Sequence, residues 1–234
     1  MSAGAEGHVR AGIARRAASF TTGMRVDIWS DIVCPWCYIG KREFEQGLAG
    51  FAHRDEIEVT YHAFELDPST PAGTGEKVLD MLAAKYGLGP EQAAQAEAGV
   101  AARAAAVGLA YAPGRRTGNS FNAHRLVALG QDRGRQGEVL QGLYDAYFGA
   151  AQPVFDRADL AVLGEAAGLD PAEVTQVLAT DEYAEEVRAD EQQASALGIS
   201  GVPFFVLDGR FGVSGAQPAD TFTAVLDKAW AQRD

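Results

Sequence analysis

Apolar and polar residues alternate with a period of two near both ends of the chain, and recur with a helical period through most of the middle. Met24 to Ile32 reads as a strand, because Val26 and Ile28 alternate with Asp27 and Trp29 continues the run. Tyr38 to about Ala49 reads as a helix with Ile39, Phe44 and Leu48 as its apolar positions. Ile57-Glu58-Val59-Thr60-Tyr61 alternates strictly and predicts a second strand with one face covered. Strand, helix and strand at this spacing make a βαβ unit with a right-handed crossover.

The pattern changes at Asp67-Pro68-Ser69-Thr70-Pro71-Ala72-Gly73, a loop of turn formers. From Glu76 to about Gly168 the chain is Ala-rich and helical in period, with no convincing strand. Lys77 to Tyr86, Pro90 to Val107, Ser120 to Gly130, Gly137 to Phe148 and Asp156 to Ala167 are the helix candidates, and Tyr111 to Gly118 reads as a loop. Pro171 to Ala179 and Glu182 to Leu197 add two more helices, the first with proline near its N-terminus. Strand signal returns at Pro203 to Leu207, followed by the hairpin turn Asp208-Gly209 and a returning strand, Arg210 to Val213. Gln217 to Trp230 closes the chain as a helix with Phe222, Val225, Leu226 and Trp230 on one side.

The fold class is therefore α/β: βαβ first and ββα last, together one small mixed sheet, with a large all-α insertion between them. The expected organisation is an extension over 1–23, a sheet domain over 24–70 and 170–234, and an inserted helical domain over 71–169.

Composition narrows the functions. With 234 residues and 47% apolar content the chain can bury a sizeable core. A formal charge of −12 disfavours nucleic acid and anionic membranes as partners, since both select clustered Lys and Arg. No apolar run approaches the ~18 residues of a membrane span. Residues 1–23 carry Arg10, Arg15 and Arg16 among Ala and Gly and lack the apolar core of a secretory signal. They are expected to be a disordered extension, or to precede a natural start at Met24. A cytoplasmic, reducing location is the corresponding expectation.

Candidate chemistry lies in Cys34-Pro35-Trp36-Cys37, which holds both cysteines of the chain. Two cysteines two residues apart, after a strand and before a helix, read as a thioredoxin-like redox dithiol. The attacking species is the thiolate. A helix start favours it, because first-turn N–H groups lack intrahelical partners and the dipole places partial positive charge there. Pro35 suits the first helical position. Cys34 is expected to be the exposed nucleophile, and Cys37, one turn on and more covered, the resolving thiol. Trp36 adds no positive charge between them. A structural zinc needs four ligands; no second cysteine pair exists, and His53, His62 and His124 show no ligand spacing, so no metal is expected. Gly201-Val202-Pro203-Phe204-Phe205 reads by itself only as a strand start.

Taken together, Ser30-Asp31-Ile32-Val33-Cys34-Pro35-Trp36-Cys37-Tyr38-Ile39-Gly40, Gly201-Val202-Pro203-Phe204-Phe205 and Gly212-Val213-Ser214-Gly215-Ala216-Gln217 resemble the DsbA-like thioredoxin superfamily. Within it the chain is most similar to the FrnE-type branch, described as polyketide-biosynthesis dithiol–disulfide isomerases. The resemblance implies a thioredoxin-like fold with a helical insertion. It also implies a cis Val202–Pro203 bond beside Cys34, with the Val202 backbone receiving a substrate main chain. Asn119-Ser120-Phe121-Asn122-Ala123-His124-Arg125-Leu126 resembles this branch and the hydroxychromene-carboxylate isomerases, which implies that Asn119 and His124 face the cleft. Physically, Asn119 or Ser120 would cap the helix, and His124 would either meet a substrate or bond a backbone carbonyl. Many relatives carry a buried acid where this chain has Ile28. Asp27 and Asp31 are the nearby alternatives; Asp31 is expected to cap or solvate the strand end, and close to Cys34 it would oppose the thiolate.

The leading expectation is a thiol–disulfide oxidoreductase or isomerase acting on a protein or small-molecule thiol or disulfide, with no cofactor beyond its own redox-active disulfide. The alternative is a small-molecule isomerase or transferase with glutathione as co-substrate; that branch carries Ser at the position of Cys34. A redox-inactive binding protein on the same scaffold is the third class. A homodimer through an apolar patch on the inserted helices is compatible with the chain, and no such patch stands out.

Overall fold

The computed structural model describes residues 23–233, so the extension expected over 1–23 lies, apart from Gly23, outside the described residues. A four-stranded sheet runs in the order β2-β1-β5-β6, formed by β1 (Met24–Ser30), β2 (Ile57–Ala63), β5 (Phe204–Leu207) and β6 (Phe211–Ser214). β1 and β2 are parallel, with Ile28 opposite Tyr61. β5 runs antiparallel to β1, with Ile28 also opposite Phe205, and β6 runs antiparallel to β5. This is the thioredoxin-like mixed sheet that the two chain ends predict.

One face of the sheet packs on α1 (Pro35–Ala49) and α9 (Ala219–Ala231). Val26, Ile28, Phe205 and Leu207 meet Phe44, Phe222 and Leu226 there, all nearly fully buried. Phe44 and Phe205 each pack on Phe222 edge-on, at 5.5 and 4.6 Å between ring centroids. The helices approach closely because Gly47 is small: a Cβ at that position would stand 2.6 Å from the carbonyl oxygen of Ala219. Glu43 of α1 accepts from the N–H of Ala219 at 2.8 Å, so one helix caps the next across the core.

β1 is central and buried along almost its whole length, Asp27 included. The Val26–Asp27–Ile28 alternation therefore does not separate core from solvent. The reason lies on the opposite face, where His62 Nε2 bonds Asp27 Oδ1 at 2.9 Å and His62 Nδ1 bonds Asp190 Oδ1 at 2.8 Å. Trp29 stacks on this imidazole at 4.6 Å and donates its indole N–H to the Asp190 carbonyl. The outer edge of β2 is covered by a side chain: Gln136 accepts from Tyr61 N–H at 3.0 Å and donates to Tyr61 O at 2.7 Å, completing the ladder.

Between β2 and β5 the chain is helical with one addition. β3 (Thr74–Lys77) and β4 (Arg116–Gly118) form a two-stranded antiparallel pair inside the block that periodicity reads as strandless, and β4 occupies part of the stretch read as loop. Strands of four and three residues show no period of their own. The helices are α2 (Val78–Tyr86), α3 (Pro90–Ala106), α4 (Phe121–Asp132), α5 (Gln136–Tyr144), α6 (Arg157–Ala166), α7 (Pro171–Ala179) and α8 (Ala184–Ala196). A π-helical turn over Asp145–Gly149 continues α5, so the helix read over Gly137 to Phe148 changes pitch midway. α4 is the centre of this block, with α5, α6, α7 and α8 against it, while α8 also lies on β2. No helix among the described residues is long and apolar enough to cross a membrane.

Candidate active site

Helix α1 begins inside the dithiol motif, three residues before the Tyr38 start that its apolar period suggests. Cys34 is its N-cap, in an extended conformation, Pro35 is its first residue, and Cys37 stands one turn in. Cys37 N–H and Tyr38 N–H both donate to the Cys34 carbonyl, at 3.0 and 3.3 Å. The two cysteines approach to 3.4 Å, and both are free thiols.

Two expectations need correction. Cys34 is not the exposed partner: it is 4% exposed against 1% for Cys37, and Trp36 between them is the exposed residue at 43%. The cause is the loop before β5, where the Cys34 thiol donates to the Val202 carbonyl at 3.5 Å. Nor do the first-turn N–H groups cap the Cys34 sulfur, since no backbone donor reaches it and Pro35 has none to offer. The donor at this site belongs to Asp31, whose N–H meets Cys37 Sγ at 3.5 Å.

The Val202–Pro203 peptide is cis. Pro203 is held on two sides. Its carbonyl accepts from Gly215 N–H at 2.9 Å, and a Cβ on Gly40 of α1 would stand 2.8 Å from its Cγ. Gly40 therefore lets the redox helix lie directly on the proline.

Asp31 is the largest departure from expectation. It does not solvate the strand end, being 1% exposed; it caps the segments that follow β1 and β2 from inside. Its Oδ2 accepts from Leu66 N–H at 2.7 Å, and its Oδ1 accepts from Val33 N–H at 3.4 Å. His124 Nε2 lies 3.3 Å from the same Oδ1. Its carbonyl receives the Tyr144 hydroxyl at 3.3 Å. Asp27, the other alternative acid, is spent on His62 and Arg25 and stays away from the dithiol.

Burial pushes the Cys37 thiol well above its ordinary pKa; the neighbouring Cys34 and the Asp31 charge raise it further, and only the Asp31 N–H opposes them. The Tyr144 hydroxyl is likewise pushed up, first by burial and then by the charge that Cys37 would carry.

His124 is brought to the site, where it bonds a carboxylate and not a backbone carbonyl. Asn119 is committed elsewhere: it donates to Glu65 Oε1 and Thr70 O at 3.1 and 3.0 Å and accepts from Phe121 N–H at 3.0 Å. It is thus Asn119 that satisfies the first helical N–H of α4, while the Ser120 side chain makes no capping bond. Tyr144 and Gly40 belong to the site without having been singled out for a role in it. Tyr144 carries no local signal, whereas Gly40, inside a helical run next to the dithiol, marks a close approach. No metal-holding cluster of His, Cys, Asp and Glu occurs among the described residues.

A thioredoxin-like sheet, a dithiol at a helix start and a cis-proline loop against it define the class of thiol–disulfide proteins built on this fold. The model of the DSBA-like thioredoxin domain matches residues 25–227, and the chain belongs to that family. It is similar to the crystal structure of a probable DsbA oxidoreductase from Streptomyces coelicolor, at 51% identity over 90% of this chain and 92% of that one, with a TM-score of 0.87. It is also 26% identical to the uncharacterized protein YwbO of Bacillus subtilis, over 87% of this chain and 96% of that protein. A 2-hydroxychromene-2-carboxylate isomerase shares the fold at 15% identity, covering 89% of this chain and 95% of the isomerase, with a TM-score of 0.64.

Proposed function

We propose that this protein is a thiol–disulfide oxidoreductase or isomerase in which Cys34 attacks and Cys37 resolves. The observation that carries the reading is two free thiols 3.4 Å apart at the start of α1, with Cys34 turned to the Val202 carbonyl. Closing a disulfide takes the sulfurs to about 2.05 Å, a small movement within one helical turn. A substrate backbone laid along Val202 would bring its own sulfur to Cys34. Cys34 displaces one substrate thiolate and forms a mixed disulfide; Cys37 then attacks Cys34 Sγ and releases the other. The substrate gains two electrons and the dithiol loses two. A compartment that keeps both thiols reduced suits a reductase or isomerase, and the reading includes a cytoplasmic location with glutathione or another dithiol restoring the site.

The glutathione-dependent small-molecule isomerase fits less well. It depends on Asn119 and His124 being offered to substrate, and both are engaged within the protein. The deciding experiment is a redox titration of the dithiol in glutathione buffers, read by thiol alkylation. A reversible two-electron couple between roughly −120 and −270 mV is expected. Failure to form the intramolecular disulfide overturns the reading.

A further inference from the structure

A cavity of about 840 Å³ lies along the helix that carries the dithiol, bounded by α1, the outer edge of β2, α5 and α6. Sites for small ligands or short segments of chain run to about 300–1,000 Å³. Its wall on β2 is main chain. β2 bonds β1 through its even-numbered residues, as Phe64 N–H shows by donating to Ser30 O at 3.1 Å, so the odd-numbered ones turn their polar groups outward. Ala63 N–H is taken by Asp190 Oδ2 at 3.0 Å, Ile57 N–H by Arg54 O, and both Tyr61 groups by the Gln136 amide. Val59 stands between them and lines the cavity, and nothing among the described residues bonds its N–H or its carbonyl. At Tyr61 the Gln136 side chain makes the two bonds that a neighbouring strand would make, so this edge already receives an amide.

The Tyr61 side chain supplies a second polar group. It is 9% exposed and lines the same cavity, and its hydroxyl bonds nothing among the described residues, while the charge of Glu45 across the cavity acts on it. The charges favour a cation. Three carboxylates, Glu45, Glu138 and Asp145, face two cations, Lys41 and Arg135. Lys41 is paired with Glu45, and Arg135 with Glu138 at 3.8 Å. Asp145 receives only neutral donors, the Tyr38 hydroxyl at 3.3 Å and the Gln141 amide at 2.9 Å, both on the same oxygen. Leu48 and Leu163 give the remaining wall an apolar character.

We propose that this cavity docks an extended, basic peptide segment of a partner protein, its backbone paired with Val59 and its cation held at Asp145. The Tyr61 hydroxyl donates to a carbonyl of the segment. Asp145 stands nine residues beyond Gln136 along α5, roughly 13 Å at the rise of a helix. An extended segment covers that distance in about four residues. The site is separate from the dithiol and goes beyond the reading above.

The test titrates the full-length protein with acetyl-Lys-Val-Thr-Val-Thr-Val-Lys-amide in a calorimeter at 150 mM salt. Lysine at both ends serves either strand direction. The control is acetyl-Lys-Val-Pro-Val-Pro-Val-Lys-amide, which has the same charge but lacks the N–H groups that pair with an edge. Saturable one-to-one binding of the first peptide is expected, at least about fivefold tighter than the control. Tyr61→Phe and Asp145→Asn should each weaken it about fivefold. Val59→Pro, which removes an outward N–H and no bond to β1, should weaken it at least as much. Tyr61→Phe and Asp145→Asn decide the matter if Val59→Pro does not fold. Equal binding of the two peptides marks general attraction to an acidic protein and overturns the proposal. So does binding that all the folded variants retain, or no binding at all. A dimer that these substitutions dissociate, with no peptide bound, gives the cavity to a second copy and overturns it too. The probe contains no cysteine, so each of these failures leaves the dithiol reading standing.

Discussion

The thiol of Cys34 lies 3.5 Å from the main-chain oxygen of Val202, 168 positions later in the chain. The contact joins the first βαβ unit to the closing ββα unit, so the redox centre exists only when both ends of the sheet have assembled around the inserted helices. It also shields Cys34, which reaches solvent less than its place at a helix start suggests.

Cys37→Ser should trap what Cys34 attacks. Lacking the resolving thiol, this variant is expected to accumulate a mixed disulfide with a model disulfide substrate, visible as an added mass that dithiothreitol removes. Cys34→Ser should form no such adduct, because the remaining thiol is 1% exposed and protonated at neutral pH. An adduct of equal yield on Cys34→Ser would reverse the assigned roles.

Gly40→Ala should disturb the site from behind. Its Cβ would stand 2.8 Å from Pro203 Cγ and 3.4 Å from Ala216. Overpacking of this kind costs about 1–3 kcal/mol, against a gain of up to ~1 kcal/mol from replacing a helical glycine. A net loss in urea stability is expected, together with slower disulfide exchange; an increase in stability with unchanged exchange would show that the loop yields freely.

His62 should make stability fall in alkali. Burial works against its charged form, but the bonds to Asp190 and Asp27 prevail and raise its pKa from 6.5 to about 9. Because the folded state holds the proton more tightly than the unfolded chain, the stabilisation is complete below about pH 6.5 and is lost as pH rises through about 9. Its size is on the order of 3 kcal/mol. Urea midpoints measured at pH 6 and pH 9.5 should drop accordingly in the wild type. His62→Gln should show a much smaller drop, and equal drops would remove His62 as the cause.

Arg125→Ala should destabilise the helical block. The guanidinium is buried and donates to the carbonyls of Val177, Thr180 and Glu182, fastening the α7–α8 connection to α4. Removing it strands these acceptors, at about 1–3 kcal/mol for each one that water does not reach. Faster amide exchange is expected around 177–183, and protection equal to wild type there would contradict the assignment.

Elements with a period or a signature of their own were legible along the chain. Val26 and Ile28, the alternation of 57–61, Pro171 at a helix start and Asp208-Gly209 at the hairpin each report their structure from neighbouring residues. In that turn both residues have positive φ, 53° and 67°, as a tight hairpin requires. The Cys-Pro-Trp-Cys spacing likewise places two sulfurs within one turn of a single helix, wherever the rest of the chain goes.

Relationships between distant residues had no such signal. Asp31 looks like a strand-end acid, and His124 looks like any histidine one turn into a helix, until folding brings them together across 93 positions. Asp27 looks solvent-facing until His62 and Asp190 enclose it. The strands β3 and β4 exist through their mutual pairing. Periodicity records which side of an element is apolar, because burial acts on each residue through its own area. Which polar group finds which partner inside is settled by three-dimensional packing, since a buried charge is tolerated only where a distant part of the chain arrives to bond it.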